Sequence, residues 1–252
     1  MLVTGGTKGV GRGIAERFLE AGANVVVTAR NPPEAAVGHG ARDAAFVAGD
    51  VRDPEAVDAI VTATIERLGR LDVVVNNAGG SPSAEAATAS PRFSAAIISL
   101  NLTAPLLVAQ AANRVMQAQR DGGCIVNIGS VSGQRPSPGT AAYGAAKAGL
   151  RSLTSTLAVE WAPKVRVNQV TGGLIATEQS HLHYGDEDGV AAVAATVPLG
   201  RLATPTDIAD ACLFLASPLA SYVSGADLVV HGGGERPAFL DAADPRAPAE
   251  PR

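Results

Sequence analysis

Short β-branched runs alternate along this chain with longer Ala-rich stretches whose apolar positions recur at helical spacing. The pattern predicts strands over 2–4, 24–29, 44–48, 71–76, 123–128, 165–170 and 228–230. Between them it predicts helices over 11–21, 54–68, 91–119, 141–161 and 205–216. Val25-Val26-Val27 and Val73-Val74-Val75 are continuously apolar rather than alternating, as strands covered on both faces should be. Pro54, Pro91 and Pro205 each follow Asp, Ser or Thr, the order in which a helix takes its cap and then its first residue. Such alternation predicts an α/β fold, a doubly wound parallel sheet with helices on both faces. Two segments break the rhythm. Residues 178–200 carry His181, His183, Tyr184 and Asp186-Glu187-Asp188 with no clear period, and read as a long mobile insertion. After Gly232-Gly233-Gly234, the Pro- and Ala-rich tail 235–252 reads as frayed or docked on a neighbour.

Composition narrows the class. A chain of 252 residues, 46% hydrophobic and only 17% charged, suits one α/β domain over 1–234. At this size roughly three quarters of the unfolded surface is buried, so no staples are needed. The net charge of −4 argues against a nucleic-acid partner. Cys124 and Cys212 lie far apart with no CxxC, which fits a reducing compartment and no zinc finger. No metal site is expected, since His181 and His183 stand two apart without a supporting ligand cluster. Met1 leads directly into Leu2-Val3-Thr4, with no charged segment and apolar run typical of a leader. The longest apolar runs read as strand length, so a cytoplasmic protein with no membrane partner is expected.

Candidate chemistry begins at Thr4-Gly5-Gly6-Thr7-Lys8-Gly9-Val10-Gly11, between the first strand and the first helix. Glycines at 5, 9 and 11 permit positive φ and close approach of backbone to a phosphate, which the helix N-terminus then attracts. A glycine cluster also serves as a plain turn; its place between strand and helix favours the phosphate reading. Tyr143 and Lys147, four residues apart on a predicted helix, share one face. An ammonium there favours the phenolate, lowering a pKa that starts near ~10, so that the phenol gives or takes a proton. The pair reads equally as ordinary helix-surface neighbours until Ser130 is added. Ser130 sits at a strand end thirteen residues earlier, where a sheet's carboxyl edge opens onto a ligand crevice. Its hydroxyl would hold a substrate oxygen. Asn101 lies inside a predicted helix, where its amide is a poor fit.

The GxxxGxG turn, Asn76-Asn77-Ala78-Gly79 after the fourth strand, and Asn101, Ser130, Tyr143 and Lys147 in order and spacing together resemble the short-chain dehydrogenase/reductase family. The resemblance covers about residues 1–234 and is closest in kind to the single-domain β-ketoacyl carrier-protein reductase-like members. It implies a Rossmann-type sheet of about seven strands in the order 3-2-1-4-5-6-7. It also implies hydride transfer between a nicotinamide and a carbonyl or secondary alcohol, with Tyr143 as acid/base and Ser130 as its companion. Lys147 would reach the nicotinamide ribose, and Asn101 would anchor a water linking Lys147 to solvent. Members that reduce enoyl groups space Tyr and Lys more widely, and extended-branch epimerases carry an added C-terminal domain. A redox-inactive NADP(H)-binding sensor or scaffold is the rival from another class; such proteins typically lose the Tyr or the Lys.

The implied cofactor contacts are Gly5, Thr7, Lys8, Gly9, Val10, Gly11, Arg30, Asp50, Val51, Asn77, Ala78, Gly79, Tyr143, Lys147, Gly173, Ile175 and Thr177. At the end of the second strand, Ala29-Arg30 replaces the acidic residue that binds a ribose 2′-OH, which favours NADP(H) over NAD(H). Lys8 is the second basic position, although Arg30 also reads as a solvated loop charge. Asp50 reads either as an adenine contact or as a helix N-cap. Gly172 stands where the family has Pro, which predicts a looser backbone there. The first strand starts unusually early, so the true start lies upstream or the strand is frayed. Gln134 and Arg135 are placed at the pocket mouth, and His181, His183 and Tyr184 either grip a polar substrate or face solvent. Ala-rich faces on 91–119 and 141–161 resemble the helices through which family members form homodimers and homotetramers.

Overall fold

In the computed structural model, which describes residues 1–178, 180, 184–237, 239 and 240, seven strands form one sheet. They are β1 (Leu2–Thr4), β2 (Val26–Ala29), β3 (Ala45–Ala48), β4 (Val73–Asn76), β5 (Gly123–Ser130), β6 (Val165–Gly172) and β7 (Asp227–Val230). The order is β3-β2-β1-β4-β5-β6-β7 and every neighbouring pair is parallel, as expected for a doubly wound sheet. The helices are α1 (Gly9–Glu20), α2 (Pro54–Leu68), α3 (Pro91–Ile98), α4 (Ala104–Ala118), α5 (Ala141–Glu160), α6 (Glu187–Ala195) and α7 (Pro205–Ala216).

The continuous apolar strands have the expected reason. Val3, Val27, Val75, Val126 and Val170 point to one face and pack with Ile14, Phe18, Ile208 and Leu215 of α1 and α7. Their neighbours Leu2, Val26, Val74, Ile125 and Val167 point to the other, against Val57, Ile60, Val108, Ala112 and Leu157 of α2, α4 and α5. Each strand residue is therefore buried whichever way it points. The caps hold as well. Asp53 accepts from Glu55 N at 3.0 Å, Ser90 from Phe93 N at 3.1 Å, and Thr204 and Asp207 form a capping box on α7. Asp53, not Asp50, caps α2, because the cap is the residue directly before Pro54.

Several expectations need correction. The predicted helix 91–119 is broken by a π-helical turn, Ser99–Thr103, between α3 and α4. By length and composition the run Pro91–Ala118 would cross a membrane, contrary to the expectation of strand-length runs only. Here, however, seven residues of α4 are buried against the sheet, as in a core helix. The segment 178–200 contains α6, whose first turn is capped by Asp186 accepting from Gly189 N at 3.0 Å. β1 is not frayed: Leu2 pairs with both Val26 and Val74, and the Met1 ammonium donates to Asn24 O at 2.7 Å. A small hairpin, Gly38–His39 with Arg42–Asp43, was not anticipated. β1 is flanked by β2 on one side and β4 on the other, so the chain reverses direction across the sheet there. A crevice opens beyond the carboxyl ends of these strands.

Candidate active site

The crevice is a cleft of about 480 Å³ that takes in most of the predicted site. Of the predicted catalytic and cofactor-contact residues, Thr7 and Asn101 stand off its lining. Its floor is the glycine turn. Gly5 (φ 62°) and Gly9 (φ 53°) occupy the left-handed region. A Cβ on Gly11 would stand 2.3 Å from Asn77 Nδ2, so the close approach of turn and β4 loop requires glycine. Asn77 Nδ2 donates to Thr4 O (2.9 Å) and Gly5 O (3.1 Å), while Asn77 N and Ala78 N both donate to Thr4 Oγ1 at 3.0 Å.

The N-terminus of α1 has no side-chain cap and no acidic residue in its first turn. Its partner comes from far along the chain: Gly9 N donates to Glu178 Oε1 at 3.0 Å. A carboxylate thus rests where free N–H groups and the helix dipole favour an anion. Neither Glu178 nor Arg52 was anticipated. Arg52 grips Asp50 through Nε (2.9 Å) and Nη2 (2.5 Å) and, with Arg30 nearby, holds its carboxyl down to about 2. Arg30 and Lys8 both line the cleft and are exposed, and neither makes an ion pair among the described residues.

At the opposite end, β5 runs two residues further than predicted and delivers Ser130 at its tip. Ser130 Oγ accepts from Ser132 N at 3.2 Å and stands close enough to the Tyr143 hydroxyl to pull its pKa down. Tyr143 lies in the first turn of α5 and Lys147 one turn on, with Nζ 5.6 Å from the Tyr143 ring centroid. Lys147 is only 4% exposed, and its ammonium donates to Ile128 O at 2.7 Å. Burial brings its pKa down to about 8. Burial also pushes the Tyr143 phenol above its usual value, with Ser130 pulling more weakly the other way. The expectation that Lys147 lowers the Tyr143 pKa is therefore reversed. The ammonium is engaged by a backbone carbonyl, and desolvation dominates. At neutral pH Tyr143 is protonated.

Asn101 sits in the π turn, fully buried. Its amide donates to Gly80 O (2.9 Å) and Ile97 O (3.0 Å), and its Oδ1 accepts from Gly80 N at 2.9 Å. Both amide hydrogens are thus spent on backbone, and the side chain clamps the Gly79-Gly80 strip. Gly172 is not a loose substitute for Pro. It pairs in register with Ser130 and Val230, and the next residue, Gly173, donates its N–H to Val230 O at 2.9 Å.

Tyr184 is half-buried near Tyr143. His181 and His183 lie outside the described residues. Gln134 and Arg135 do not line the cleft as expected: Gln134 bonds Asp227, and Arg135 pairs with Glu235, which docks the start of the tail on its own chain.

The buried ammonium has a measurable consequence. Between about 8 and 10.5 the unfolded chain holds a proton on Lys147 that the folded protein has released, so this group adds stability as pH rises through that window. We expect the stability of Lys147→Met relative to wild type, from urea unfolding, to fall by roughly 2–3 kcal/mol between pH 7.5 and 10.5. A flat difference would mean that Lys147 does not titrate there.

Known proteins match nearly the full chain. A family model described as enoyl-(acyl carrier protein) reductase matches residues 5–235. A 3-oxoacyl-(acyl-carrier-protein) reductase of Vibrio cholerae is 37% identical over 238 residues, 92% of this chain and 95% of that protein. Glucose 1-dehydrogenase 2 of Bacillus subtilis is 35% identical over 240 residues, covering 92% and 93%. Among solved structures, a ligand-free aldohexose dehydrogenase from Thermoplasma acidophilum aligns with a TM-score of 0.85 and 29% identity, covering 99% and 96%. With this coverage and identity, the chain belongs to the short-chain dehydrogenase/reductase family of oxidoreductases, whose members act on CH–OH and C=O groups with NAD(P).

Proposed function

We propose that this protein transfers a hydride between NADP(H) and a small carbonyl or secondary alcohol, with Tyr143 as the acid/base, and that carbonyl reduction is the prevailing direction. The observation that carries the reading is the Ser130–Tyr143 hydroxyl pair with the buried Lys147 one turn behind it. The cleft fits a dinucleotide on a test independent of the family. Glu178 already stands in for a phosphate oxygen on Gly9 N, so the α1 terminus accepts an oxyanion. Gly5, Gly9, Val10 and Gly11 would hold the pyrophosphate; Asp50 and Val51 the adenine, with Asn77, Ala78 and Gly79 bordering the adenosine side; Gly173, Ile175 and Thr177 the nicotinamide half. The dinucleotide supplies the hydride when bound. Ser130 holds the substrate oxygen, Tyr143 passes it a proton, and Lys147 keeps a positive charge behind the phenol below about pH 8.

NADP(H) is preferred over NAD(H) because Arg30 and Lys8, without an ion pair among the described residues, line the cleft where a 2′-phosphate would lie. A redox-inactive sensor is disfavoured, since Tyr143 and Lys147 are both present and packed as a working pair. Enoyl reduction, the activity in the matched model's description, is disfavoured by the four-residue Tyr143–Lys147 spacing. We also read the protein as cytoplasmic, and as a homodimer or homotetramer joined through α4 and α5. In support, the α5 surface leaves Val159 80% exposed. Sedimentation at micromolar concentration checks this assembly, and a monomer would refute it.

The first test is titration with NADPH and NADH by nicotinamide fluorescence, followed by a panel of ketones, sugars and β-ketoacyl thioesters. NADPH is expected to bind more tightly and to be oxidised by at least one panel member; no binding of either dinucleotide would overturn the reading. Tyr143→Phe should lower turnover by roughly 10²–10⁴-fold while leaving the NADPH Kd within about twofold. Equal loss of both would contradict the role given to the phenol. Arg30→Asp should weaken NADPH by about ten- to a hundredfold and NADH little, since one charge-assisted phosphate bond is worth about 1.5–3 kcal/mol. Unchanged selectivity would show that Arg30 does not touch the phosphate.

A further inference from the structure

Asp227 opens β7, outside the cleft, yet its carboxylate joins three parts of the fold that carry or flank the reacting groups. Its side chain is only 12% exposed. Oδ2 accepts from Gln134 Nε2 at 2.8 Å and lies 3.5 Å from Arg151 Nε; Oδ1 accepts from Thr171 Oγ1 at 2.6 Å. Thr171 in turn accepts from Gln169 Nε2 at 2.9 Å. Each partner leads toward the site. Arg151 lies on α5 one turn after Lys147. Thr171 pairs in register with Gly129, the residue before Ser130. Gln134 closes the short turn Val131–Gly133 that follows Ser130, with its N–H on Val131 O at 2.9 Å.

We propose that Asp227 is a positioning residue for the Ser130–Tyr143 pair, acting through Gln134 and the 131–133 turn. This inference rests on the reading that Ser130 and Tyr143 form the reacting pair. The chain of contacts is short. Asp227 fixes the Gln134 amide, and Gln134 closes the turn. The turn presents Ser132 N to Ser130 Oγ at 3.2 Å, which orients that oxygen toward the Tyr143 hydroxyl. Without the carboxylate, Gln134 and Thr171 lose their acceptor; Gln134 is exposed and loses its anchor, while Thr171 is fully buried, where an unmet donor is costly. The turn then shifts to find other partners. There is no room to absorb the shift beneath Ser130. A Cβ on Gly129 would already stand 2.5 Å from Gln169 Nε2 and 2.6 Å from Thr171 Oγ1, so side chains and strand touch there.

The test compares Asp227→Ala, Gln134→Met and the double variant. Each single change should lower kcat by roughly ten- to a hundredfold, the cost of a small misplacement. The double variant should be no worse than either one, and the NADPH Kd should stay within twofold of wild type. Asp227→Asn, which still accepts from Gln134, should recover most of the loss. A second readout needs no substrate. In protein labelled with ¹³Cζ-tyrosine, whose three signals are assigned with Tyr143→Phe, the Tyr143 resonance should move in Asp227→Ala as it does in Ser130→Ala, and return in Asp227→Asn. Additive losses, a change confined to thermal stability, or an unmoved Tyr143 resonance would each overturn the proposal. If Asp227→Ala does not fold, Gln134→Met carries the same test. If wild type binds no dinucleotide, the functional reading fails, while the Tyr143 resonance still decides whether Asp227 positions the pair.

Discussion

Buried backbone groups must find partners, and at the carboxyl ends of β1 and β4 the strand ladder runs out. The chain meets this constraint with one side chain and one amide. The Thr4 hydroxyl takes the N–H groups of Asn77 and Ala78, and the Asn77 amide takes the carbonyls of Thr4 and Gly5. These bonds join residues more than seventy apart in sequence and hold the glycine turn against the β4 loop. The cleft is the space left above this junction. Gly11 has no room for a Cβ because Asn77 fills it, and the strip from Asn77 to Gly80 is carried on to the Asn101 clamp. One tie thus sets the distance between the glycine turn and the side that carries Lys147.

On that far side the outcome is decided by desolvation against charge. Two groups that would help each other ionise in water are both pushed toward their neutral forms by burial. Lys147 is kept from collapsing onto the phenol by Ile128 O, a carbonyl supplied by β5 two residues before Ser130. The same strand therefore presents the serine and restrains the lysine, and α5 needs only its helical repeat to bring tyrosine and lysine to one face.

Most of the sheet is readable from local pattern, because strands buried on both faces have one signature and capped helices another. Asp53-Pro54, Ser90-Pro91 and Thr204-Pro205 mark true helix starts, since cap and proline act within a single turn. Contacts between distant segments are not readable this way. The π turn adds a residue to an otherwise regular helix, and its one local sign is a polar Asn101 in an apolar run. Asp50 has cap chemistry, but Asp53 is adjacent to the proline and takes that place, leaving Asp50 to Arg52. The spacing of Tyr143 and Lys147 places them on one face but says nothing of how deeply they lie, so it predicts the wrong direction for the phenol. Gln134 follows Ser130 closely in sequence, yet its amide turns away to β7, a partner 93 residues off.

The Glu178 carboxylate on Gly9 N makes the cleft a self-occupied one. A ligand carried by the chain itself is never diluted. Any incoming oxyanion must outcompete a tethered group whose effective concentration is fixed by the fold. An anion bound there would be held less tightly than the bare geometry allows, since its departure lets the Glu178 contact form again. A cleft so arranged would trade affinity for turnover of an anionic occupant.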